Sequence, residues 1–355
     1  MKKLFLVLVA LCLLVAWAPA AQAEIKPMKL RLASAFPPPK VAMGSYAAQL
    51  WMDAITEKTG GKVTFQTYWG GALGKPPEHL KIVDKGLADL VLTNAHYTPG
   101  KLPLAQFEYV FPFGPVDPVI VTKAKLQLMS EFPEFARDLA KYNTVQIMNS
   151  AGAVYQILSK TPVKTLADFK GKKISLIGRY FGRWVKVAGA IPVVAAAHDR
   201  YTMLQTGVVD MDLLPLDLFA AFKIQEQAKY FVGIRAMTGN FFDLYMNKKR
   251  FEKMPKELQK IFIETGNEVA MKVAKEVVPA WSEKVMKQFK EADVQFYNLP
   301  EAERDKWAQM IPDIPAEWAK EVEEQGYPGW QIVQRWQELT TEYGYKWPRK
   351  WGQKK

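Results

Sequence analysis

The segment from Lys173 to Leu214 reads KISLIGRYFGRWVKVAGAIPVVAAAHDRYTMLQTGVVDMDLL and sets the fold class. Short apolar runs of strand length alternate in it with stretches of helical periodicity. The predicted elements are a strand at 173–177, a helix at 179–188, a strand at 192–195, a helix at 201–206 and a strand at 212–214. This order predicts a parallel sheet with helices on its faces, that is, an α/β fold.

The N-terminal part of the chain repeats the same order. Its predicted elements are strands at 30–33, 63–68 and 90–92, separated by helices at 43–55 and 78–85. A strand at 241–246 is expected to return to this first unit. At 355 residues the chain is long for one core and suits two domains. We therefore expect two α/β lobes.

The expected boundaries follow from that chain path. Lobe I comprises residues 24–150 plus 236–265, and lobe II comprises residues 151–235 plus 290–355 with C-terminal helices. Apolar residues from Leu258 to Phe289 keep helical spacing, so one long helix at 256–290 is expected to bridge both lobes, with a bend at Pro279. The basic end, Lys346 to Lys355, is expected to be a solvated tail.

The first 23 residues are typical of a secretory signal peptide. Lys2 and Lys3 precede an apolar run, and Ala21-Gln22-Ala23 offers a small-x-small cleavage site. The sequence predicts export and a periplasmic location. Cys12, the only cysteine, lies in this segment, so the mature chain would lack disulfides and thiol chemistry. The net charge of +12 suits solubility or anionic ligands, and nucleic acid is not an expected partner of an exported protein.

Signatures of catalysis and of cofactors are missing from the sequence. The three histidines, His79, His96 and His198, have no companion at metal-ligand spacing, and none of the common hydrolase motifs occurs. The loop Gly70–Lys75 has the wrong glycine spacing for a phosphate-binding loop and is expected to be a turn. We expect a protein that is not an enzyme and has no cofactor or metal.

Residues Gly178–Trp184 are the strongest ligand candidate, because ligands of open α/β sheets lie beyond the carboxyl ends of strands. Arg179 follows a predicted strand and opens a helix, where amides and a guanidinium could hold an anion. Arg183 lies one turn further on. Asn94 and Tyr97 occupy the equivalent place in the first lobe.

The sequence resembles the binding proteins of TRAP (tripartite ATP-independent periplasmic) transporters, a family that includes dicarboxylate and sialic acid binders. The resemblance rests on the stretches Leu166–Ile174, Gly189–Val193 and Tyr201–Asp210, in that order and spacing. It implies the two-lobe periplasmic binding protein fold with a long lobe-spanning helix and a ligand held in an interlobe cleft. It also implies a carboxylate ligand, closure of the lobes and delivery to an integral-membrane TRAP permease.

The sequence departs from the family pattern at one important place. The arginine that holds the carboxylate in this family aligns with Ser175, and Met211 replaces a common glycine. Either Arg179 supplies the charge from a shifted position, or the ligand is not a simple carboxylate. Because Asp212 and Asp217 are expected near the cleft, an amine-bearing or polyhydroxylated ligand stays an open alternative.

The resulting hypothesis is that Arg179 pairs with the acid group while Tyr155 and Ser175 hydrogen-bond it. Apolar walls would come from Phe36, Tyr97, Leu214 and Phe241, with Asp217 near the cleft. Two alternatives stay open. An exported enzyme on the same scaffold would have to use His96, Asp212 or Asp217, and a sensory protein would present its ligand to a membrane receptor.

Overall fold

The computed structural model describes residues 24–98 and 100–353, without the side chains of residues 239–241. The proposed signal peptide, residues 1–23, lies outside the described residues. The strands are β1 (Met28–Ser34), β2 (Val63–Tyr68), β3 (Leu90–Thr93), β4 (Thr144–Ser159), β5 (Lys173–Leu176), β6 (Ile191–Val194), β7 (Met211–Pro215), β8 (Tyr230–Gly233), β9 (Thr238–Asn247) and β10 (Gln295–Asn298).

The helices lie between these strands and after the last of them. They are α1 (Met43–Lys58), α2 (His79–Asp84), α3 (Pro118–Glu131), α4 (Glu134–Ala140), α5 (Tyr180–Val187), α6 (Arg200–Gln205), α7 (Leu216–Ala221), α8 (Lys248–Glu252), α9 (Lys256–Lys272), α10 (Val278–Glu291), α11 (Glu301–Met310), α12 (Ile314–Glu323) and α13 (Gly329–Glu342). The part of the chain described contains no helix both long and apolar enough to cross a bilayer.

Two sheets form the core, and both contain the predicted parallel strands. In the first sheet β1 runs parallel to β2 and β3, and β9 lies antiparallel between β3 and β4. In the second sheet β5 runs parallel to β6 and β7, while β7 and β8 pair antiparallel with β4. The predicted α/β fold is confirmed.

Strand β4 belongs to both sheets. Its 16 residues pair with β9 in the first sheet from Thr144 to Val154, and with β7 in the second sheet from Tyr155 to Ser159. The register between β4 and β9 is irregular at three points between Gln146 and Val154. Because bulges bend and twist a strand, they let one strand pass from one sheet into the other.

The long helix runs from α9 through a π-helical turn at Val273–Val277 into α10. The π turn ends just before Pro279, which lacks an N–H and would crowd the preceding carbonyl in a regular α-helix. Helix α9 packs against α1 and β4, whereas α10 packs against α7. The predicted lobe-spanning helix and its irregularity near Pro279 are therefore present.

The C-terminal segment differs from the expected solvated tail. Trp351 is completely buried, its backbone N–H donates to Gln337 Oε1 at 3.0 Å, and the amide of Gly352 donates to Asp313 Oδ1 at 2.8 Å. The expectation was wrong because the lysines of this segment alternate with tryptophans, which bury their rings while the charged ends stay in water. The segment packs back onto α12 and α13.

Candidate functional site

A small enclosed cavity lies where the two sheets face each other. Most of its lining comes from the carboxyl ends of strands, which is where ligands of open α/β sheets bind. The lining residues are Phe36, Asn94, Tyr97, Tyr155, Ile177, Ala197, Arg200, Leu214 and Leu218. The free volume is about 10 Å³, room for about one water molecule.

Arg200 supplies the positive charge of this cavity, and its side chain is fully buried. Nη1 donates to Asp212 Oδ1 at 2.8 Å and to the Leu213 carbonyl at 3.0 Å. Nε and Nη2 both donate to the Ala195 carbonyl, at 3.1 and 2.9 Å. Since a guanidinium has five N–H donors, one N–H on Nη2 has no acceptor within the described part of the protein.

Asp212 balances the charge of Arg200. The Ser175 hydroxyl lies 2.8 Å from the same Oδ1 atom, so Arg200 and Ser175 both contact Asp212 there. Burial raises the pKa of Asp212, and the opposing charge of Arg200 lowers it. Oδ2 of Asp212 is buried and has no hydrogen-bond partner among the residues that the structure describes.

The polar residues of the first lobe are held by a short turn after β3. Asn94 Oδ1 accepts the backbone N–H of His96 at 2.8 Å, and Asn94 Nδ2 donates to the Tyr109 hydroxyl at 3.1 Å. The ring of Tyr155 packs on Phe181, with centroids 4.6 Å apart. Burial raises the pKa of Tyr155, so its hydroxyl stays protonated and can donate.

His96, near the cavity, is buried and has no hydrogen-bond partner for its ring in the part of the chain described. Burial lowers its pKa to about 3, so the imidazole is neutral, and neither ring nitrogen has a partner in the described structure. Its ring lies against Gly178, whose φ is +69°; a Cβ at that position would be 2.5 Å from His96 Nδ1. Glycine is therefore required where the two lobes touch.

Asp217 lies at the start of α7, next to the cavity-lining Leu218. Its carboxyl group is fully buried, and neither oxygen has a hydrogen-bond partner of normal geometry among residues 24–98 and 100–353. Burial raises its pKa to about 7, although the nearby amides of Asp217 and Leu218 lower it. Burial therefore favours the protonated, uncharged form of this carboxyl.

The structure brings together half of the site residues predicted from sequence, namely Phe36, Asn94, Tyr97, Tyr155 and Leu214. Ser175 is buried behind them and contacts Asp212, and Asp217 lies beside Leu218. The Phe241 side chain lies outside the described residues. Whether these residues bind a ligand stays a prediction.

The two predicted arginines do not line the cavity. Arg179 Nη2 lies 2.6 Å from Glu321 Oε2 with 46% of its side chain exposed, and Arg183 Nη1 lies 2.5 Å from Glu317 Oε2. Both pair with carboxylates of α12. Their proposed contact with the ligand is therefore reassigned below.

Arg200 was missed by the sequence reasoning. It follows β6 after a short turn at Ala197–Asp199 and begins α6, so the argument that selected Arg179 also applies to it. The predicted helix began one residue too late, at Tyr201, which left Arg200 in a loop.

Two α/β lobes joined by a shared strand and a long helix, with a cavity at their strand ends, define a two-lobe solute-binding protein. Residues 34–321 match the profile of the bacterial extracellular solute-binding protein family 7, DctP. The chain belongs to this family, and the resemblance to TRAP transporter binding proteins is confirmed. No group of three or more His, Cys, Asp or Glu side chains able to hold a metal occurs in the part described.

Individual relatives agree with this assignment. The chain is 25% identical over 288 residues to a solute-binding protein of Albidiferax ferrireducens, covering 78% of this chain and 82% of the relative. It is 26% identical over 300 residues to the C4-dicarboxylate-binding periplasmic protein DctP of Rhodobacter capsulatus, covering 80% and 84%. The crystal structure of a TRAP solute-binding protein of Rhodoferax ferrireducens with copurified benzoate superposes with a TM-score of 0.79 at 22% identity, covering 89% of this chain and 98% of that one.

Proposed function

We propose that the protein is the periplasmic solute-binding subunit of a TRAP transporter, and that it captures a small organic acid in the cavity lined by Arg200. The observation that carries the proposal is the buried Arg200 guanidinium, which lines the cavity and keeps one N–H free of protein acceptors in the described structure. Signal-peptide cleavage and export to the periplasm are part of this proposal.

The position of Arg200 supports a reason why Ser175 can stand where the family pattern has its carboxylate-binding arginine. Arg200 Nη1 and the Ser175 hydroxyl both lie 2.8 Å from Asp212 Oδ1, so the guanidinium reaches the surroundings of Ser175 from a neighbouring helix. A guanidinium fixed by two backbone carbonyls and one carboxylate is already oriented, which reduces the entropy lost when a ligand carboxylate binds. We assign the role of carboxylate partner to Arg200 instead of Arg179.

The rest of the cavity favours an acid with an apolar body. Phe36, Ile177, Leu214 and Leu218 present carbon atoms, while Asn94, Tyr97 and Tyr155 provide polar groups for orientation. DctP of R. capsulatus is named for C4-dicarboxylates, and the R. ferrireducens protein copurified with benzoate. The apolar walls of this chain suit a monocarboxylate such as benzoate better than a small dicarboxylate.

The small size of the cavity implies movement of the lobes. About 10 Å³ cannot contain a carboxylic acid, so the lobes must separate for the ligand to enter and must close around it less tightly than in the structure described. A ligand that contacts both lobes favours the closed form by its difference in affinity for the two states. The closed form with ligand is what the membrane permease would recognise, and the ligand is released unchanged, without catalysis.

Arg200→Lys tests the proposal by isothermal titration calorimetry with benzoate. Lysine keeps the charge but lacks the planar N–H groups of a guanidinium, so it cannot reproduce the hydrogen bond from the free Nη2 N–H of Arg200 to the ligand. The binding free energy should weaken by about 2 kcal/mol, the typical contribution of a hydrogen bond to a charged group. Arg179→Ala is the matched control and should bind like the wild-type protein, because its guanidinium pairs with Glu321 at the surface. Reversed results for the two variants would return the role to Arg179.

Folding of the variants must be checked because the Arg200–Asp212 pair is buried. Circular dichroism melting curves report this, and the double variant Arg200→Met/Asp212→Leu removes both charges without leaving one unpaired. A folded double variant that binds benzoate as tightly as wild type would refute the assignment of Arg200. Reconstituted uptake with the permease, driven by an ion gradient, tests the transport role itself.

A further inference from the structure

A second, larger pocket lies immediately outside the cavity. It has a volume of about 350 Å³ and is formed by the turn after β3 and the segments that follow β5 and β6. Its lining includes His96, Gly178, Arg179, Val194 and Ala196. This outer pocket also lies at the carboxyl ends of parallel strands, as the inner cavity does.

The outer pocket and the inner cavity share walls. Tyr97 and Ile177 line both spaces, so these two side chains are the partition between them. Ala195 lines the outer pocket, and its carbonyl accepts two hydrogen bonds from Arg200, which lines the inner cavity. A ligand whose acid group reaches Arg200 is therefore within one residue of the outer pocket.

His96 belongs to the wall of the outer pocket, and its two ring nitrogens are buried beneath the pocket surface. Its side chain is 3% exposed, and both ring nitrogens are without hydrogen-bond partners in the described part of the chain. A buried polar group without a partner is destabilising, and a native protein normally satisfies it with water or ligand. His96 can donate one hydrogen bond and accept another while neutral.

The charge at the mouth of the outer pocket is already balanced. Arg179 lines it, but Nη2 of this residue contacts both carboxylate oxygens of Glu321, at 2.8 and 2.6 Å. Val194, 69% exposed, and the two alanines after it add apolar surface. The pocket thus suits an uncharged group better than a second carboxylate.

We infer that the outer pocket is a second ligand subsite, which selects acids with an elongated apolar body and a hydroxyl group at the end distant from the carboxylate. The inference rests on the proposed function, since Arg200 must hold the carboxylate. Tyr97 and Ile177 swing aside and uncover the ring nitrogens of His96, which are buried in the structure described. The body of the ligand passes between the two side chains, and the distal hydroxyl hydrogen-bonds His96.

Calorimetric titration of the wild-type protein with three acids tests the inference. The acids are benzoate, 3-phenylpropionate and 3-(4-hydroxyphenyl)propionate. The second has two more methylenes than benzoate and should bind about fifteenfold more tightly, because each additional buried methylene contributes about a factor of four. The phenolic hydroxyl should add about fivefold through His96.

Two variants test which residues produce the higher affinities of the longer acids. Ala196→Phe fills the outer pocket and should abolish the advantage of both longer acids while leaving benzoate binding intact, and Val208→Phe, at an exposed site, is the size-matched control. His96→Leu should remove only the advantage of the hydroxyl.

The outcomes separate this inference from the proposed function. If benzoate binds but the longer acids bind no more tightly, or if Ala196→Phe weakens all three equally, the outer pocket is not a subsite and the proposed function stands. If none of the acids binds, both proposals fail.

Discussion

Asp212 and Asp217 are two buried carboxyl groups near the cavity that differ in how their charge is balanced. Asp212 has Arg200 and Ser175 as partners at 2.8 Å. Asp217 has no charged partner in the part of the chain described, and burial raises its pKa to about 7. Folding therefore favours the protonated form of Asp217.

The stability that Asp217 contributes to the folded protein should consequently fall as the pH rises. Because the pKa of Asp217 is higher in the folded protein than its ordinary value of 3.8, its contribution is complete below pH 4 and is lost as the pH rises through 7. Asp217→Asn cannot ionise, so the free energy of unfolding of the wild type should decline relative to this variant by about 1.4 kcal/mol per pH unit between pH 4 and 7.

Urea unfolding of both proteins at pH 5, 6, 7 and 8 provides the measurement. Asp305→Asn, at an exposed position, serves as the control and should keep a constant difference from wild type. Parallel curves for the wild type and Asp217→Asn would show that Asp217 is solvated or paired in solution.

At the residue scale the sequence predicted the residues that form the walls of the cavity, but not Arg200, the charged residue that lines it. Phe36, Tyr97 and Leu214 follow or end predicted strands, and strand ends converge for topological reasons. Which arginine points inward depends on helix packing. Arg179 turns toward the carboxylates of α12, a helix more than one hundred residues later in the chain, and the local sequence contains no sign of that contact.

Among the secondary-structure elements, α9 packs on β4, and the two backbones come close at Gly266. A Cβ added to Gly266 would lie 1.8 Å from the carbonyl oxygen of Ile147, which belongs to the backbone and cannot move aside. Gly266→Ala should therefore destabilise the protein by about 3 kcal/mol, in spite of the better helix propensity of alanine.

Thermal and urea unfolding of Gly266→Ala test this prediction. Asn267→Ala, one residue further along the same helix and exposed, is the control and should change stability little. Equal stability of the two variants would mean that α9 can move away from β4 without loss.

The predicted elements agree with the structure where amphipathic periodicity is strong, as in α1 and β2. The first half of β4 and the short strand β8 were not predicted. Residues Thr144–Ser150 carry Gln146, Asn149 and Ser150 among apolar residues, and the register irregularities with β9 disrupt strict alternation. Their strand conformation is stabilised by pairing with β9, almost one hundred residues later.

For the whole molecule, ligand binding should shift the protein toward a more compact form. The ligand is expected to contact groups of both lobes, Asn94 and Tyr97 on one side and Arg200 on the other, so it stabilises closure. The radius of gyration from small-angle X-ray scattering should decrease with saturating benzoate, and unfolding should need about 2.7 kcal/mol more at one hundred times the dissociation constant.

Arg200→Lys at the same benzoate concentration is the reference, because weaker binding should leave a larger share of the molecules open. An unchanged radius of gyration in the wild type, measured together with heat of binding, would contradict lobe closure as the response to ligand.

The sharing of β4 between the two sheets also affects how the chain can fold during its synthesis. β4 ends at Ser159, but its partner β9 is complete only at Asn247, and β10 joins β8 only at Asn298. A nascent chain that lacks these residues cannot complete either sheet, and such distant pairings form slowly. Most of the polypeptide must therefore be synthesised before either sheet is complete, so the growing chain carries unpaired strand edges for most of its synthesis.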